Sequence, residues 1–205
     1  MRYLVIAVAF IGLAWNLAGK DVQPNTLTKR EIEAGWKLLF DGKSLAGLEV
    51  HDGADWKVED GALVCPGTAP GWLGTAADSF TDYDLKMEFR GGENVNSGVF
   101  LRSQKEGQPH VTGYELQIWD YQPGGYSTGS LVGYIKASPV KILSEQWNRY
   151  EVKVQGDHFT AILNGKTVLD GHDSKHAGPG VIGFQCNKTS VNEIEFRSVK
   201  ILPTK

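Results

Sequence analysis

Two short segments of the chain combine apolar residues with side chains that can hold or move protons. In the segment 114–120, Leu116 and Ile118 are separated by polar residues. A period of two is typical of a β-strand, in which alternate side chains point to opposite faces. We therefore expect Leu116 and Ile118 to enter a core. The polar face then carries Glu115, Gln117 and Trp119, with Asp120 at the strand end.

The segments 96–102 and 181–185 have the same alternation. In the first, Val99 and Leu101 fall on one face, and in the second Ile182 and Phe184 do. The opposite faces carry Asn96, Gly98, Phe100 and Arg102 from the first segment, and Gly183 and Gln185 from the second. Three strands of the chain are therefore predicted to present one apolar and one polar face.

The polar faces match the needs of a sugar ligand. Sugar hydroxyls pair with planar donors and acceptors such as carboxylates, carboxamides and guanidinium groups. The C–H face of a sugar ring packs on an aromatic side chain such as the indole of Trp119. Trp72 lies in a Gly/Pro-rich segment over residues 66–74, which we expect to form a loop that could border a cleft. A solvated outer sheet would show the same alternation of Glu and Gln with Leu and Ile, so the pattern alone leaves both interpretations open.

The elements that must position these residues are short strands. A capping box of Thr28 and Glu31 predicts a short helix ending before Gly35. After it, the period of two dominates, and Asn164-Gly165 and Asp60-Gly61 predict tight hairpins. The further predicted strands cover residues 38–40, 83–89, 149–154, 159–163, 166–169 and 193–202. Many short strands joined by turns indicate an all-β sandwich or barrel.

Length and composition restrict the classes of protein. The chain has 205 residues, 25 of them Gly, and a formal net charge of −3. One domain of the all-β class fits this length. The small, mixed charge and the absence of a long Lys/Arg run argue against a nucleic-acid partner.

The N-terminal residues have the pattern of a secretory signal. Arg2 precedes an uncharged apolar run over residues 3–15, and small residues follow it. We expect a signal peptide over residues 1–19, a linker with the short helix over 20–34 and the β-domain over 35–203. The exported chain would be periplasmic or secreted, with no stable membrane anchor after cleavage. An uncleaved N-terminal anchor is the alternative.

Two cysteines, Cys65 and Cys186, lie far apart in the sequence. In an exported protein they could form a disulfide that closes a long loop. They could equally be two small buried apolar residues.

Several ordered blocks resemble the 3-keto-disaccharide hydrolase domain family, from Gly35 to Leu202. The blocks cover residues 35–45, 56–61, 96–102, 114–120, 128–129, 147–148, 163–165, 180–185 and 196–197. The resemblance implies a concanavalin A-like jelly-roll of two antiparallel sheets and a role in carbohydrate processing. The chain departs from many members at Val132, where they carry an aromatic residue, and at Asn187, where they carry a His.

The chemistry implied by this family needs a base and a stabilising group. A 3-keto group acidifies the hydrogen at C2 of the sugar, so that its removal can expel the glycosidic oxygen at C1. Glu115 is the candidate base, and Arg102 or a bound divalent metal ion is the candidate stabiliser of the enediolate. Asp120, Gln117 and Gln185 would orient hydroxyls or ligate the ion, and Asn96 and Trp119 would contact the sugar. The loop histidines are interpreted as surface residues: His110, His172 and His176.

Two other functions use the same face. A retaining glucanase would need a second carboxylate roughly 5 Å from the first. Glu115 and Asp120 are the available pair, and they share a face only if a bulge intervenes. A non-catalytic sugar-binding module would need the polar face and the aromatic residues but no base.

Overall fold

The computed structural model describes residues 23–77, 79–188 and 193–204. The predicted signal peptide at 1–19 lies outside these residues, and so does the start of the predicted linker. Within them, no helix is long and apolar enough to cross a membrane.

The described chain forms thirteen strands and two short helices. The helices are α1 (Lys29–Glu33) and α2 (Pro109–Thr112). The strands are β1 (Lys37–Leu38), β2 (Leu48–His51), β3 (Lys57–Glu59), β4 (Ala62–Cys65), β5 (Gly71–Thr75), β6 (Tyr83–Gly91), β7 (Ser97–Ser103), β8 (Tyr114–Ile118), β9 (Asn148–Gln155), β10 (His158–Leu163), β11 (Lys166–His172), β12 (Val181–Cys186) and β13 (Ile194–Pro203).

The strands pair in two antiparallel sheets. The larger sheet has the order β11-β10-β9-β6-β13-β4-β3, and β1 also pairs with β13. The smaller sheet has the order β2-β5-β12-β7-β8. Neighbouring strands within each sheet are often distant in sequence, as in a jelly roll. The predicted all-β sandwich is confirmed.

One core lies between the sheets. β6 contributes Leu85, Met87 and Phe89, which are almost fully buried, while the residues between them are only partly buried. Leu116 and Ile118 enter the same core from β8, as the alternation predicts. Burying a side chain of this size stabilises the fold by about 1.5–3 kcal/mol.

Local signals in the sequence are also confirmed. Asn164 and Gly165 have φ angles of 50° and 81°, and Asp60 and Gly61 have 46° and 77°. Positive φ at both central residues is what a type I′ hairpin turn requires. At the start of α1, Thr28 and Glu31 form both hydrogen bonds of the predicted capping box.

Two strands and one helix were not predicted from the sequence. β2 and β5 form one side of the smaller sheet, and α2 lies between β7 and β8. Trp72 was expected in a loop but lies within β5, because Gly71 and Gly74 obscure the strand pattern around it.

A disulfide joins the two sheets. It links Cys65 of β4 to Cys186 of β12, with 5.9 Å between the two Cα atoms. Of the two interpretations left open by the sequence, the structure therefore has the disulfide. The bond fixes the end of β12 against the larger sheet.

Arg102 does not lie where the alternation of β7 places it. Its φ is 54°, and two residues of β7 oppose one residue of β12, since Val181 pairs with Ser103 and Gly183 with Phe100. This bulge interrupts the alternation, so the side chain of Arg102 enters the space between the sheets. The guanidinium packs over Phe159, a residue of the core.

The hydrogen bonds of Arg102 account for its burial. It is 1% exposed and donates to the carbonyls of Thr81 (2.6 Å) and Gly156 (2.7 Å) and to Asp82 Oδ1 (3.0 Å). The expectation that Arg102 shares the polar face with Phe100 is wrong, and Arg102 is a structural residue here. A buried charge is tolerated only when it is paired in this way.

We predict that Arg102→Met lowers the free energy of unfolding by about 3–5 kcal/mol, because the charge of Asp82 loses its buried partner. Urea unfolding measures this. Arg149→Met is the control, since Arg149 is 54% exposed and pairs with Glu151 at the surface; it should cost less than about 1 kcal/mol. Equal small losses in both variants would contradict the structural role of Arg102.

Candidate functional site

The outer face of the smaller sheet carries two rows of side chains that cross its strands. The first row runs through the directly paired residues Glu49, Gly74, Gly183, Phe100 and Glu115. The second row includes His51, Trp72 and Gln185, and Gly98 pairs with Gln117 at its end. Glycines at three of these positions leave room above the sheet for larger neighbours.

This face is covered. Glu115 is 6% and Gln117 4% exposed, and Phe100 is 1% exposed. The segment 128–132 closes the free edge of β8, where Gln117 N donates to Ser130 O and Val132 N donates to Glu115 O. The alternative of a solvated outer sheet is therefore wrong.

The side chain of Glu115 lies over Gly98. A Cβ atom at position 98 would be only 2.8 Å from Glu115 Cγ and Oε1, so any residue other than glycine would displace the carboxyl group. Burial raises the pKa of Glu115 to about 7, and a hydrogen bond from the amide of Gln185 opposes this rise. Glu115 can therefore gain and lose a proton near neutral pH.

Aromatic rings form the floor next to this carboxyl group. Trp72 extends over Gly74 and Gly183, where a Cβ at 183 would be 2.9 Å from the indole. Its ring meets Phe100 edge-on, with 6.0 Å between centroids and an angle of 87°. His51 stacks on Trp72 at 3.9 Å and 8°.

A cleft of about 370 Å³ opens over this floor, a volume within the range of small-molecule sites. Gln185 lines the cleft and also hydrogen-bonds Glu115, so it connects the two. The other lining residues are Asp52, Pro70, Gly71, Trp72, Phe100, Gln108, Pro109, His110, Cys186 and Asn187.

Two residues that line this cleft, Trp72 and His110, were not fully predicted from the sequence. Trp72 was expected only to border a cleft from a loop, and His110 was interpreted as a surface residue. His110 is exposed, as expected, but its exposed ring forms part of the cleft wall. The short helix α2 that carries it has no periodic signal that a sequence could reveal.

The structure brings some of the predicted site residues together but not Asp120. Glu115, Gln117 and Gln185 lie together on the covered face. Asp120 lies apart, since its carboxylate accepts hydrogen bonds from Thr128 Oγ1 (2.5 Å) and Ile142 N (3.0 Å) and so holds two loops. This removes the second carboxylate that the glucanase alternative needs.

Asn96 and Trp119 flank the strands of the site. Asn96 is buried directly before β7, and Trp119 is half-buried directly after β8, where its carbonyl accepts from Thr128 N. Their contact with a sugar stays a prediction.

A divalent metal ion was the alternative to Arg102 as the stabilising group, so clusters of acidic, His and Cys side chains bear on it. Among residues 23–77, 79–188 and 193–204, only Asp55, Cys65 and Cys186 bring three acidic, His or Cys ligand atoms within 4.8 Å of one another. Their two sulfurs are joined in the disulfide and are not thiolates. Glu115 belongs to no such group in this part of the chain, so no step is assigned to a metal.

Comparison with known proteins identifies the domain. Residues 35–202 match the family described as the 3-keto-alpha-glucoside-1,2-lyase-like domain. No curated protein sequence matches the chain. A proposed glycosyl hydrolase from Parabacteroides distasonis has a similar structure, with a TM-score of 0.77 and 22% identity over 89% of this chain and 100% of that one.

Two sugar-binding proteins also share the fold. The carbohydrate-binding module CBM66 from Bacillus subtilis has a TM-score of 0.59 at 15% identity and covers 75% of this chain and 94% of its own. The lumenal domain of VIP36, bound to Ca²⁺ and Man3GlcNAc, has a TM-score of 0.60 at 10% identity over 83% of this chain and 91% of its own. At these identities, the likeness shows a lectin-type jelly roll.

The raised pKa of Glu115 has a consequence for stability. The ordinary pKa of this group is 4.5, and in the folded state it is about 7. Between pH 4.5 and about pH 7 the folded state therefore keeps a proton that the unfolded state releases, so the free energy of unfolding falls as the pH rises. Glu115→Gln should remove this loss. We predict that the variant is more stable than the wild type by about 3 kcal/mol at pH 8 and equally stable at pH 4. Urea unfolding at both pH values measures the difference, and a difference independent of pH would contradict the buried ionisable carboxyl.

Proposed function

Because the chain belongs to the family of 3-keto-alpha-glucoside-1,2-lyase-like domains, we propose that it cleaves 3-keto glycosides with Glu115 as the base. One observation carries this proposal. A buried carboxyl group with a pKa of about 7 is hydrogen-bonded to Gln185, which lines an aromatic-floored cleft. A base that titrates near the working pH is the most effective proton acceptor.

The proposed reaction begins at C2 of the sugar. The carboxylate of Glu115 takes the C2 proton, which the neighbouring 3-keto group acidifies. The electron pair of the C2–H bond forms the C1–C2 double bond, and the C1–O bond breaks with its electrons on the departing oxygen. Water can then add to the unsaturated sugar, which completes a hydrolysis.

The cleft also provides groups that would bind the sugar. Trp72 and Phe100 lie at the base of the cleft, where they are 2% and 1% exposed and so give the floor its shape. Gln185 Oε1 is buried without a hydrogen-bond partner in the structure, and a sugar hydroxyl would supply one. The amides of Gln117 and Gln185 replace Arg102 as the groups proposed to hydrogen-bond the reacting oxygens.

A non-catalytic carbohydrate-binding module is the second candidate function. The structural likeness to CBM66 favours it. Asn187 favours it too, because it lines the cleft where many family members carry a His. Such a module would use Trp72, Phe100 and Gln185 in the same way but would need no base.

We predict that Glu115→Gln lowers kcat on a 3-keto disaccharide by about 10²–10⁴-fold while its affinity for the sugar is kept. Steady-state kinetics and calorimetric binding measure the two effects. Glu49→Gln is the matched control, since Glu49 lies in the same row but is 51% exposed and pairs with Lys105; its kcat should not change.

Two outcomes would contradict this assignment. Wild-type protein that binds 3-keto sugars but never cleaves them would favour the binding module. Equal kcat in the wild type and Glu115→Gln would place the base elsewhere.

We also propose that the protein is exported, on the basis of Arg2 and the apolar run over residues 3–15. N-terminal sequencing of protein from the cell envelope or medium should then begin near Gly19 or Lys20. An intact Met1 in a soluble cytoplasmic fraction would contradict export.

A further inference from the structure

The helix α2 forms one wall of the cleft and is firmly anchored. Pro109 is buried at its first turn, and its carbonyl accepts hydrogen bonds from Ser103 Oγ (2.8 Å) and Gly113 N (3.0 Å). The carbonyl of Gln108 accepts from the amides of Val111 and Thr112. The residues on either side of Pro109, Gln108 and His110, therefore have fixed backbone positions at the wall.

His110 is the only imidazole that lines the cleft in the described part of the chain. Asp52 is the other ionisable side chain in the lining, and it lies in the turn after β2 with a φ of 58°. Asn187 lines the same cleft, but a carboxamide does not exchange protons near neutral pH. Histidine is the side chain that ordinarily both donates and accepts a proton there.

The proposed elimination requires a second proton transfer. The oxygen that leaves C1 of a disaccharide is a poor leaving group unless it is protonated as the bond breaks. When the C2–H and C1–O bonds break together, Glu115 is taking up the C2 proton at the moment at which the leaving oxygen needs one. In such a concerted step the second proton comes from a donor that is distinct from Glu115 and faces the cleft.

We infer that His110 is this donor and protonates the departing sugar oxygen, an inference that rests on the proposed function. The C2 proton passes to the carboxylate of Glu115, the C1–O electron pair passes to the leaving oxygen, and that oxygen takes the proton of the His110 imidazolium. The products are an unsaturated 3-keto sugar and an alcohol, with Glu115 protonated and His110 neutral. Exchange of one proton with water at each residue restores both.

A proton donor and a sugar-binding residue differ in how the loss of kcat on substitution depends on the leaving group of the substrate. His110→Gln is compared with the wild type on a 3-keto disaccharide and on a 4-nitrophenyl 3-keto glucoside. We expect kcat on the disaccharide to fall by about 10²–10⁴-fold. On the nitrophenyl glycoside it should stay nearly unchanged, because nitrophenolate leaves without protonation. Glu115→Gln should lower kcat on both substrates, since both need the C2 proton removed.

His172→Gln is the control, because His172 lies on β11 of the other sheet and pairs with Asp157. It should leave both rates unchanged. Thermal melting checks that each variant is folded, which the exposure of His110 favours. A His110→Gln variant that loses activity on both substrates alike, or on neither, would overturn the inference but not the proposed function. A wild type inactive on both substrates would overturn both.

Discussion

The carboxyl group of Glu115 is held out of water between a glycine and an amide, and the candidate site depends on this arrangement. Gly98 provides the space beneath the side chain, and Gln185 hydrogen-bonds the carboxyl from the neighbouring strand. Burial disfavours the charged form of the carboxyl group, so keeping this group out of water lowers the stability of the fold. Such a cost is common where a residue is held ready for proton transfer.

The rest of the sandwich keeps Gln185 and Glu115 in position. Ser97 Oγ donates to the carbonyl of Gln185 (2.7 Å), which ties β7 to β12 at the height of the site. The next residue along β12, Cys186, is bonded to the larger sheet through the disulfide. Tyr150 from the larger sheet donates to the carbonyl of Gln117 (2.9 Å). Contacts from both sheets therefore hold the two strands that carry the proposed base and its partner.

Much of the fold could be predicted because its signals are local. The period of two correctly placed Leu116 in the core and Glu115 on the opposite face. The residue types Asn164-Gly165 predicted a hairpin turn, and the structure has the positive φ angles that such a turn requires. Arg102 could not be placed in this way, because alternation assumes a regular pleat. A bulge redirects its side chain, which then donates hydrogen bonds to residues distant in sequence, such as Asp82 and Gly156.

The cleft itself was harder to predict than the strands beneath it. Its α2 wall is a single helical turn, and one end of its floor is a glycine-containing strand. Asp120 was expected at the end of the strand of Glu115, as a residue that orients sugar hydroxyls or ligates an ion, yet its carboxylate accepts a hydrogen bond from the backbone of Ile142. These positions depend on loop packing, for which the sequence carries no periodic signal.

The proposed reaction requires a 3-keto sugar to bind in the cleft lined by Gln185, with its C2 atom facing residue 115. A crystal structure of Glu115→Gln with a bound 3-keto disaccharide tests this most directly. We expect C2 at about 3 Å from the side-chain amide of residue 115, with the sugar ring inside the cleft. A sugar bound elsewhere, or one whose C2 faces away from residue 115, would contradict it.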